Sequence, residues 1–221
     1  MTPYYADDHV TLYHGDARGF LDVSADVLIT DPPYGVGLVT KTSAGRSLQA
    51  SVLYQDDPAH VRSLIGSVIA PLIDTIGRAL VFPGTRMMFA YPEPAAVGAV
   101  FNLSGAGLSP WGFQCVHPIL YYGKDPFLAD GKGARPSGFR DERPNPEKFD
   151  HPCPKPLSWM RWAVARASRE GETVMDPFAG SGTTLVAAKA LGRRAIGVEL
   201  EERYCEVAAN RLRQEVLGLV A

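Results

Sequence analysis

The last third of the chain alternates short apolar runs with longer segments of helical periodicity, and this alternation constrains the fold more than any other feature. The pattern predicts helices over 157–167, 183–191 and 201–217 and strands over 173–175 and 195–198. Strands that alternate with helices form parallel sheets covered by helices. Two further short strands are predicted at 11–14 and 27–30. We therefore predict an α/β fold with an open, doubly wound, mostly parallel sheet.

The middle of the chain is less regular. Apolar residues at helical spacing predict a helix over 57–77, which Pro71 should kink or interrupt. The remaining expectations are a strand over 86–90, a helix over about 94–103, a strand over 116–122 and a long loop or small subdomain over 123–154.

Composition limits the classes of function. A chain of 221 residues with 46% hydrophobic content can bury one sizeable core, so we expect a single domain over 1–221. Its polar, acidic start and the lack of an apolar run of about 18 residues favour a cytoplasmic protein with no membrane contact. Three cysteines without Cys-x-x-Cys spacing and five scattered histidines indicate neither disulfides nor a metal site. The net charge of −2 means that any contact with nucleic acid must come from local basic patches.

Asp31-Pro32-Pro33-Tyr34 follows the apolar run 26–30. It places a carboxylate, a rigid turn and an aromatic ring at the end of a buried strand. A carboxylate accepts a hydrogen bond from an exocyclic amine, and a tyrosine can stack on a flat ring, so the motif is suited to a nucleobase. The alternative is a strand that ends in a Pro-Pro turn, with Asp31 as a turn former and Tyr34 as packing.

A second motif runs from Asp176 to Thr184 and joins a predicted strand to a predicted helix through Gly180-Ser181-Gly182. Glu199, at the end of the next strand, can accept hydrogen bonds from both hydroxyls of a ribose, which indicates a nucleoside ligand. A phosphate-binding loop would have lysine after the second glycine, where this chain has Thr183. A nicotinamide site would have a third glycine where this chain has Leu185. A glycine-rich helix start that binds nothing is the remaining alternative.

In their order, these motifs resemble those of the amino-methylating DNA methyltransferases, which methylate the exocyclic nitrogen of adenine or cytosine. The resemblance covers most of the chain and rests on Gly15-Asp16, Asp31 to Tyr34, His151-Pro152-Cys153-Pro154-Lys155-Pro156, and Asp176 to Thr184 followed by Gly197-Val198-Glu199. The catalytic motif precedes the cofactor motif, as in the permuted group called beta. One departure is Cys153-Pro154, where the family commonly has Thr-Gln.

The resemblance implies a Rossmann-like class I methyltransferase fold, circularly permuted, with S-adenosylmethionine as cofactor. It implies a catalytic motif made of Asp31, Pro32, Pro33 and Tyr34. It implies cofactor contacts by Asp16 near the adenine, Glu199 at the ribose and 178–182 at the methionine, with Lys155 to Ser158 closing that side. The full cofactor set is Asp16, Lys155, Pro156, Ser158, Asp176, Phe178, Ala179, Gly180, Ser181, Gly182, Thr183 and Glu199.

Within this family, the implied reaction is direct in-line methyl transfer to a base flipped out of double-stranded DNA. Aspartate at the first motif position favours the N6 of adenine. The alternatives are N4-cytosine methylation, an RNA N-methyltransferase, and a non-catalytic relative that binds nucleic acid.

Two segments are candidates for contact with DNA. Residues 35–55 form a candidate active-site loop with Lys41, Arg46 and no acidic residue, and 105–150 are a candidate target-recognition insertion. In the second segment Arg135, Arg140 and Arg143 are candidate contacts to guanine edges or phosphates, against the alternative of solvated loop residues. A monomer or homodimer is expected, and a restriction enzyme is a possible associated protein.

Overall fold

A computed structural model describes residues 2–36, 56–103, 108–141 and 155–214 of the chain. Nine strands form one sheet: β1 Tyr5–Ala6, β2 Val10–His14, β3 Val27–Thr30, β4 Ala79–Val81, β5 Ala96–Asn102, β8 Val116–Tyr122, β9 Phe139–Asp141, β10 Thr173–Asp176 and β11 Arg194–Glu199. A separate two-stranded hairpin consists of β6 Leu108–Ser109 and β7 Gly112–Phe113.

The strand order in the sheet is β1-β2-β11-β10-β3-β4-β8-β5-β9. The five central strands from β2 to β4 are parallel to one another, and β8 is antiparallel to both of its neighbours. The predicted mostly parallel α/β fold is therefore confirmed. The early strand β2 pairs with the late strand β11, so the order of strands in space differs from their order along the chain.

Helices cover both faces of the sheet. On one face lie α5 Leu157–Ala167, α6 Thr183–Ala190 and α7 Glu202–Gln214. Their buried residues, such as Trp159 and Leu185, pack with residues of the sheet in one hydrophobic cluster, which we call the first core. The other face is covered by one continuous helix made of α1 Pro58–Leu64, a π-helical segment Ile65–Ile69 and α2 Ala70–Ile76. Its buried residues pack with residues of the sheet in a separate hydrophobic cluster, which we call the second core. Short helices α3 Gly84–Met87 and α4 Pro126–Ala129, and 3₁₀ turns Ala17–Phe20 and Met88–Ala90, complete the described elements.

Pro71 does not break the helix. The π-helical segment ends just before it, and the Ala70 N–H donates to the Ile65 carbonyl five residues back. A wider turn gives the helix room for a residue without an N–H. By length and composition this 19-residue helix, Pro58–Ile76, could span a membrane, which contradicts the expectation that no segment approaches that length. Its apolar residues, Val61 and Leu72 among them, pack in the second core, as in a core helix.

Two sequence predictions were wrong. The predicted strand at 86–90 is a pair of short helical turns, and the predicted helix at 94–103 is strand β5. A short apolar run fits either element, whereas β5 is fixed by pairing with β8 and β9. Gly98 permits that close pairing, because a Cβ there would lie 1.8 Å from the Ser137 carbonyl oxygen. Tertiary contacts therefore outweigh the alanine-rich local preference of this segment.

Candidate active site

Four carboxylates follow or end four neighbouring parallel strands, all at the carboxyl edge of the sheet. Asp16 comes two residues after β2, Glu199 ends β11, Asp176 ends β10, and Asp31 follows β3 directly. Since the strands lie in the order β2-β11-β10-β3, the carboxylates are arranged along the edge in that same order. From β10 the chain continues to β11 on one side, and from β3 it continues to β4 on the other side. The connections therefore run in opposite directions between β10 and β3. Open α/β sheets bind ligands at such a point.

Asp176 joins the two motifs at this edge. Its Oδ1 accepts a hydrogen bond from the Thr30 hydroxyl at 2.8 Å and another from the Phe178 N–H at 3.1 Å. Burial raises the pKa of this carboxyl to about 6, although the hydrogen bonds from Thr184 and Thr30 oppose the shift. Asp31 is the residue after Thr30, so the two sequence motifs are brought side by side.

The glycine turn between β10 and α6 is held in place by helix α7. Gly182 has a φ of +79°, and a Cβ there would lie 2.7 Å from the Ala208 Cβ, so both the conformation and the close approach require glycine. The Arg211 guanidinium donates to the Ser181 carbonyl at 2.7 Å and to the Thr183 hydroxyl at 3.0 Å. The turn is therefore fixed by packing and by hydrogen bonds before any ligand binds.

The Glu199 carboxylate faces this turn. One of its oxygens accepts from the Gly180 N–H and the other from the Glu201 N–H, both at 2.8 Å. A carboxylate has about four acceptor positions, so two remain for a ligand. Burial is the largest cause that raises the pKa of Glu199 to about 7, and nearby Glu201 and Asp176 add to it.

The Asp31 carboxylate and the Tyr34 hydroxyl hydrogen-bond to each other and to a third group, the ammonium of Lys155. The Lys155 Nζ lies 2.9 Å from each carboxylate oxygen of Asp31. It also lies 4.6 Å from the centroid of the Tyr34 ring and 5.8 Å from that of Phe82. These groups form a compact polar cluster, which we call the Asp31 cluster, at the end of β3.

Tyr34 and the turn after it are positioned by contacts from two other segments. Gly84 lies directly against the Tyr34 ring, since a Cβ at this position would be 2.7 Å from the Tyr34 Cδ1. The buried Asp56 carboxylate accepts hydrogen bonds from the Gly35 N–H at 2.5 Å and the Val36 N–H at 3.2 Å. Gly84 therefore packs against the ring of Tyr34, and Asp56 fixes the backbone just after it, although both are distant in the chain.

Parts of the chain are similar in sequence to known DNA methyltransferases. Residues 111–210 match the family model described as DNA methylase. The chain is 45% identical over 65 residues to the type II methyltransferase M2.DpnII of Streptococcus pneumoniae, a match that covers 29% of this chain and 24% of that protein. It is 46% identical over 66 residues to M.HindIII of Haemophilus influenzae, covering 30% and 21%. The chain thus matches about a quarter of the length of these relatives.

Solved structures show the same fold over almost the whole chain. A complex of M1.HpyAVI with SAM is similar with a TM-score of 0.67 and 23% identity, covering 92% of this chain and 98% of that one. The PvuII DNA methyltransferase, described as cytosine-N4-specific, gives a TM-score of 0.67 and 18% identity, covering 95% and 88%. The class I methyltransferase fold predicted from the motifs is therefore confirmed.

The structure places most predicted methylase-motif residues at the carboxyl edge. Asp16 Oδ1 accepts from the Arg18 N–H at 2.9 Å and caps the 3₁₀ turn after β2. Pro156 precedes α5, and within the described part of the chain the buried Ser158 hydroxyl has no hydrogen-bond partner. Lys155, predicted on the cofactor side, instead directs its ammonium into the Asp31 cluster.

The two candidate DNA contacts that the structure describes, Arg135 and Arg140, differ in their surroundings. Arg135 is occupied inside the protein, since its guanidinium donates to Asp125 at 2.7 Å and to the carbonyls of Ala165 and Arg166 at the end of α5. Arg140 is exposed on the edge strand β9. Lys41, Arg46 and Arg143 lie outside the described residues.

Sequence reasoning missed Asp56, Gly84 and Arg211, which position the motifs without belonging to them. No local signal marks them, because each acts on residues at least 20 positions away. No group of three or more His, Cys, Asp or Glu side chains within the described ranges is arranged to hold a metal ion.

Proposed function

We propose that this protein is an S-adenosylmethionine-dependent DNA methyltransferase that methylates the N6 of adenine in double-stranded DNA. The observation that carries the proposal is the order of the four carboxylates along one edge, Asp16, Glu199, Asp176 and Asp31. An elongated nucleoside cofactor and a flat target base can lie end to end along this edge, with the cofactor over the first three groups and the base at the fourth.

The residues at the cofactor end fit S-adenosylmethionine. The two acceptor positions left on Glu199 suit the two hydroxyls of a ribose, and Asp16 lies beyond it, where the adenine would end. The glycine turn allows the methionine part to approach the backbone closely. The buried Ser158 hydroxyl offers a further polar group. When bound, the cofactor supplies an electrophilic methyl group.

The residues at the target end fit an exocyclic amine. Asp31 accepts one amino hydrogen and the carbonyl of Pro32 is suited to accept the other, while the Tyr34 ring stacks on the base. These hydrogen bonds draw the nitrogen lone pair out of conjugation with the ring and orient it for in-line attack. Catalysis then depends on positioning and on preorganised charge more than on strong acid or base chemistry.

A paired base cannot present its amine in this way. The enzyme must therefore flip the target base out of the duplex, at a cost of about a few kcal/mol. We propose residues 35–55, most of which lie outside the described residues, as an active-site loop and 105–150 as the target-recognition segment, both inside one methyltransferase domain. Of the predicted arginines, the exposed Arg140 is the described candidate for a DNA contact.

Adenine is proposed over cytosine because aspartate occupies the first position of the Asp31–Tyr34 motif. Cytosine N4 is the second candidate, since a structure of the same fold is described as cytosine-N4-specific. Both bases present an amine to the same acceptors, so the two candidates share one mechanism.

The decisive experiment incubates the purified protein with labelled S-adenosylmethionine and bacterial duplex DNA, then digests the DNA and identifies the methylated nucleoside by mass spectrometry. We expect N6-methyl-2′-deoxyadenosine. Labelled RNA of the same sequences is the control, and equal or greater methylation of RNA would contradict the DNA assignment.

Asp31→Ala tests the mechanism. The variant should bind the cofactor as the wild type does and lose methylation by at least about 100-fold, since removing one preorganised group of this kind costs that much. Calorimetry and single-turnover kinetics measure the two effects. A variant that methylates DNA at the normal rate would disprove the role of Asp31.

A further inference from the structure

The side chain of Lys155 lies at the target end of the site, and the proposed mechanism above does not use it. Its ammonium donates to both the Asp31 carboxylate and the Tyr34 hydroxyl, and only 8% of the side chain is exposed. The rings of Tyr34 and Phe82 lie within 5.8 Å of the nitrogen. A lysine held this way is a fixed part of the pocket and not a solvated surface charge.

The cluster therefore presents a hydrogen-bond donor directly beside an acceptor. Lys155 Nζ carries three N–H donors and no acceptor, whereas the Asp31 carboxylate only accepts, and the two lie 2.9 Å apart. Enzymes that flip a base read it through its Watson–Crick edge. On that edge adenine places its amine donor next to the ring nitrogen N1, and cytosine places its amine next to N3; both ring nitrogens are acceptors.

We propose that Lys155 donates a hydrogen bond to this ring nitrogen while Asp31 accepts from the neighbouring amine. The pair would then read the Watson–Crick edge of the target, which makes Lys155 a base-binding and specificity-determining residue. This inference rests on the proposed function, because it assumes that a flipped base enters the Asp31 cluster.

The hydrogen-bonding capacity of the cluster permits this. A carboxylate has about four acceptor positions, so Asp31 can accept from the target amine and keep its bond to Lys155. Lys155 has three donors, of which two serve Asp31 and Tyr34 in the described structure. The third can point to the ring nitrogen without breaking the ion pair.

The same pair rejects the other two bases. Guanine and thymine present a carbonyl oxygen where adenine and cytosine have the amine, and an N–H where they have the ring acceptor. That carbonyl would face the Asp31 carboxylate and that N–H would face the Lys155 ammonium, so both groups would lose their partners in a water-excluded site. Sites that leave buried polar groups unpaired discriminate strongly.

The test compares a duplex that contains adenine at the methylated position with duplexes that contain 1-deazaadenine or 7-deazaadenine there. The first analogue replaces N1 by C–H, and the second alters the other side of the ring. Binding is measured by fluorescence anisotropy in the presence of S-adenosylhomocysteine, and methyl transfer is measured in single turnovers. Both are measured for the wild type, for Lys155→Met and for Arg62→Met, which removes one exposed positive charge on α1, outside the proposed DNA-contacting segments, as a control.

We expect 1-deazaadenine to weaken binding or slow transfer by the wild type roughly 10- to 100-fold, the loss that corresponds to one hydrogen bond to a charged group. The 7-deaza duplex should behave like adenine. Lys155→Met should handle adenine and 1-deazaadenine equally, because the donor is absent, whereas Arg62→Met should keep the wild-type ratio.

Equal handling of adenine and 1-deazaadenine by the wild type would overturn the inference, and so would a Lys155→Met variant that keeps the wild-type ratio. If Lys155→Met does not fold, as circular dichroism would reveal, the comparison of the three duplexes with the wild type decides alone. A protein that binds duplexes without methylating any base would contradict the proposed function, while its binding ratio would still test the hydrogen bond.

Discussion

The two ends of the site are built in different ways. At the cofactor end, Glu199 is held by backbone N–H groups of Gly180 and Glu201, which lie 19 and 2 residues from it along the chain. At the target end, Asp31 is held by Lys155, 124 residues away, and Tyr34 lies against Gly84. Apart from Asp16 after β2 and helix α7, which supports the glycine turn, a strand–turn–helix–strand unit forms the first end from one stretch of sequence. The second end exists only after α5 has packed on β3 and β4.

This difference predicts separable functions. Changes at the cofactor end should alter cofactor affinity and leave the Asp31 cluster intact. Changes at the target end should slow methyl transfer and leave cofactor affinity intact. The predictions below test this separation.

Glu199→Gln should have the largest effect among them. The amide would turn one N–H donor toward a backbone N–H of Gly180 or Glu201, so the side chain would lose a hydrogen bond and its orientation. We expect cofactor affinity to fall about 10- to 100-fold, the cost of one hydrogen bond to a charged group. Calorimetry measures this, with the exposed Glu202→Gln as the control. Unchanged affinity would count against the ribose role of Glu199.

Gly84→Ala should perturb the target end. Its φ is +65°, and the added Cβ would lie 2.7 Å from the Tyr34 ring, so the ring must shift. Small displacements of positioning groups cost much of the rate, and we expect methyl transfer to slow by at least about tenfold with cofactor affinity unchanged. Gly66→Ala is the matched control, because a Cβ there meets nothing within 4 Å. Equal rates for the two variants would show that Tyr34 tolerates the shift.

The stability of the free protein should fall as pH rises through the range in which Glu199 ionises. Burial raises the pKa of this carboxyl from 4.5 to about 7, so between these pH values the folded state binds more protons than the unfolded state. The free energy of unfolding therefore decreases across this range, and Asp176, whose pKa is raised to about 6, contributes in the same direction. Urea unfolding at both ends of the range should show a smaller decrease for Glu199→Gln than for the wild type.

Arg135→Ala should have the smallest effect on function. Its guanidinium binds Asp125 and two carbonyls at the end of α5, so its loss should lower the free energy of unfolding by about 1–3 kcal/mol. The salt dependence of DNA binding should not change, since each phosphate contact contributes to that slope and Arg135 is engaged inside the protein. A shallower slope for the variant would restore Arg135 as a DNA contact.

The same contrast explains which elements could be predicted. The strands and helices from Thr173 onward follow their own hydrophobic periodicity, and the structure confirms each of them within a few residues. The segment from 84 to 103 was predicted wrongly because its short apolar and alanine-rich runs fit either element. Pairing of β5 with β8 and β9 decides its conformation, and those partners are distant in the chain.

The sequence by itself determined the motifs and predicted the parallel sheet and a site for a nucleoside, because a carboxylate after a strand and a glycine turn before a helix are local features. Only the tertiary structure decided how the motifs meet. It aligned Asp16, Glu199, Asp176 and Asp31 along one edge, since strand order is set by packing and not by order along the chain. It also turned Lys155 toward Asp31, because a side chain's partner depends on which elements pack together.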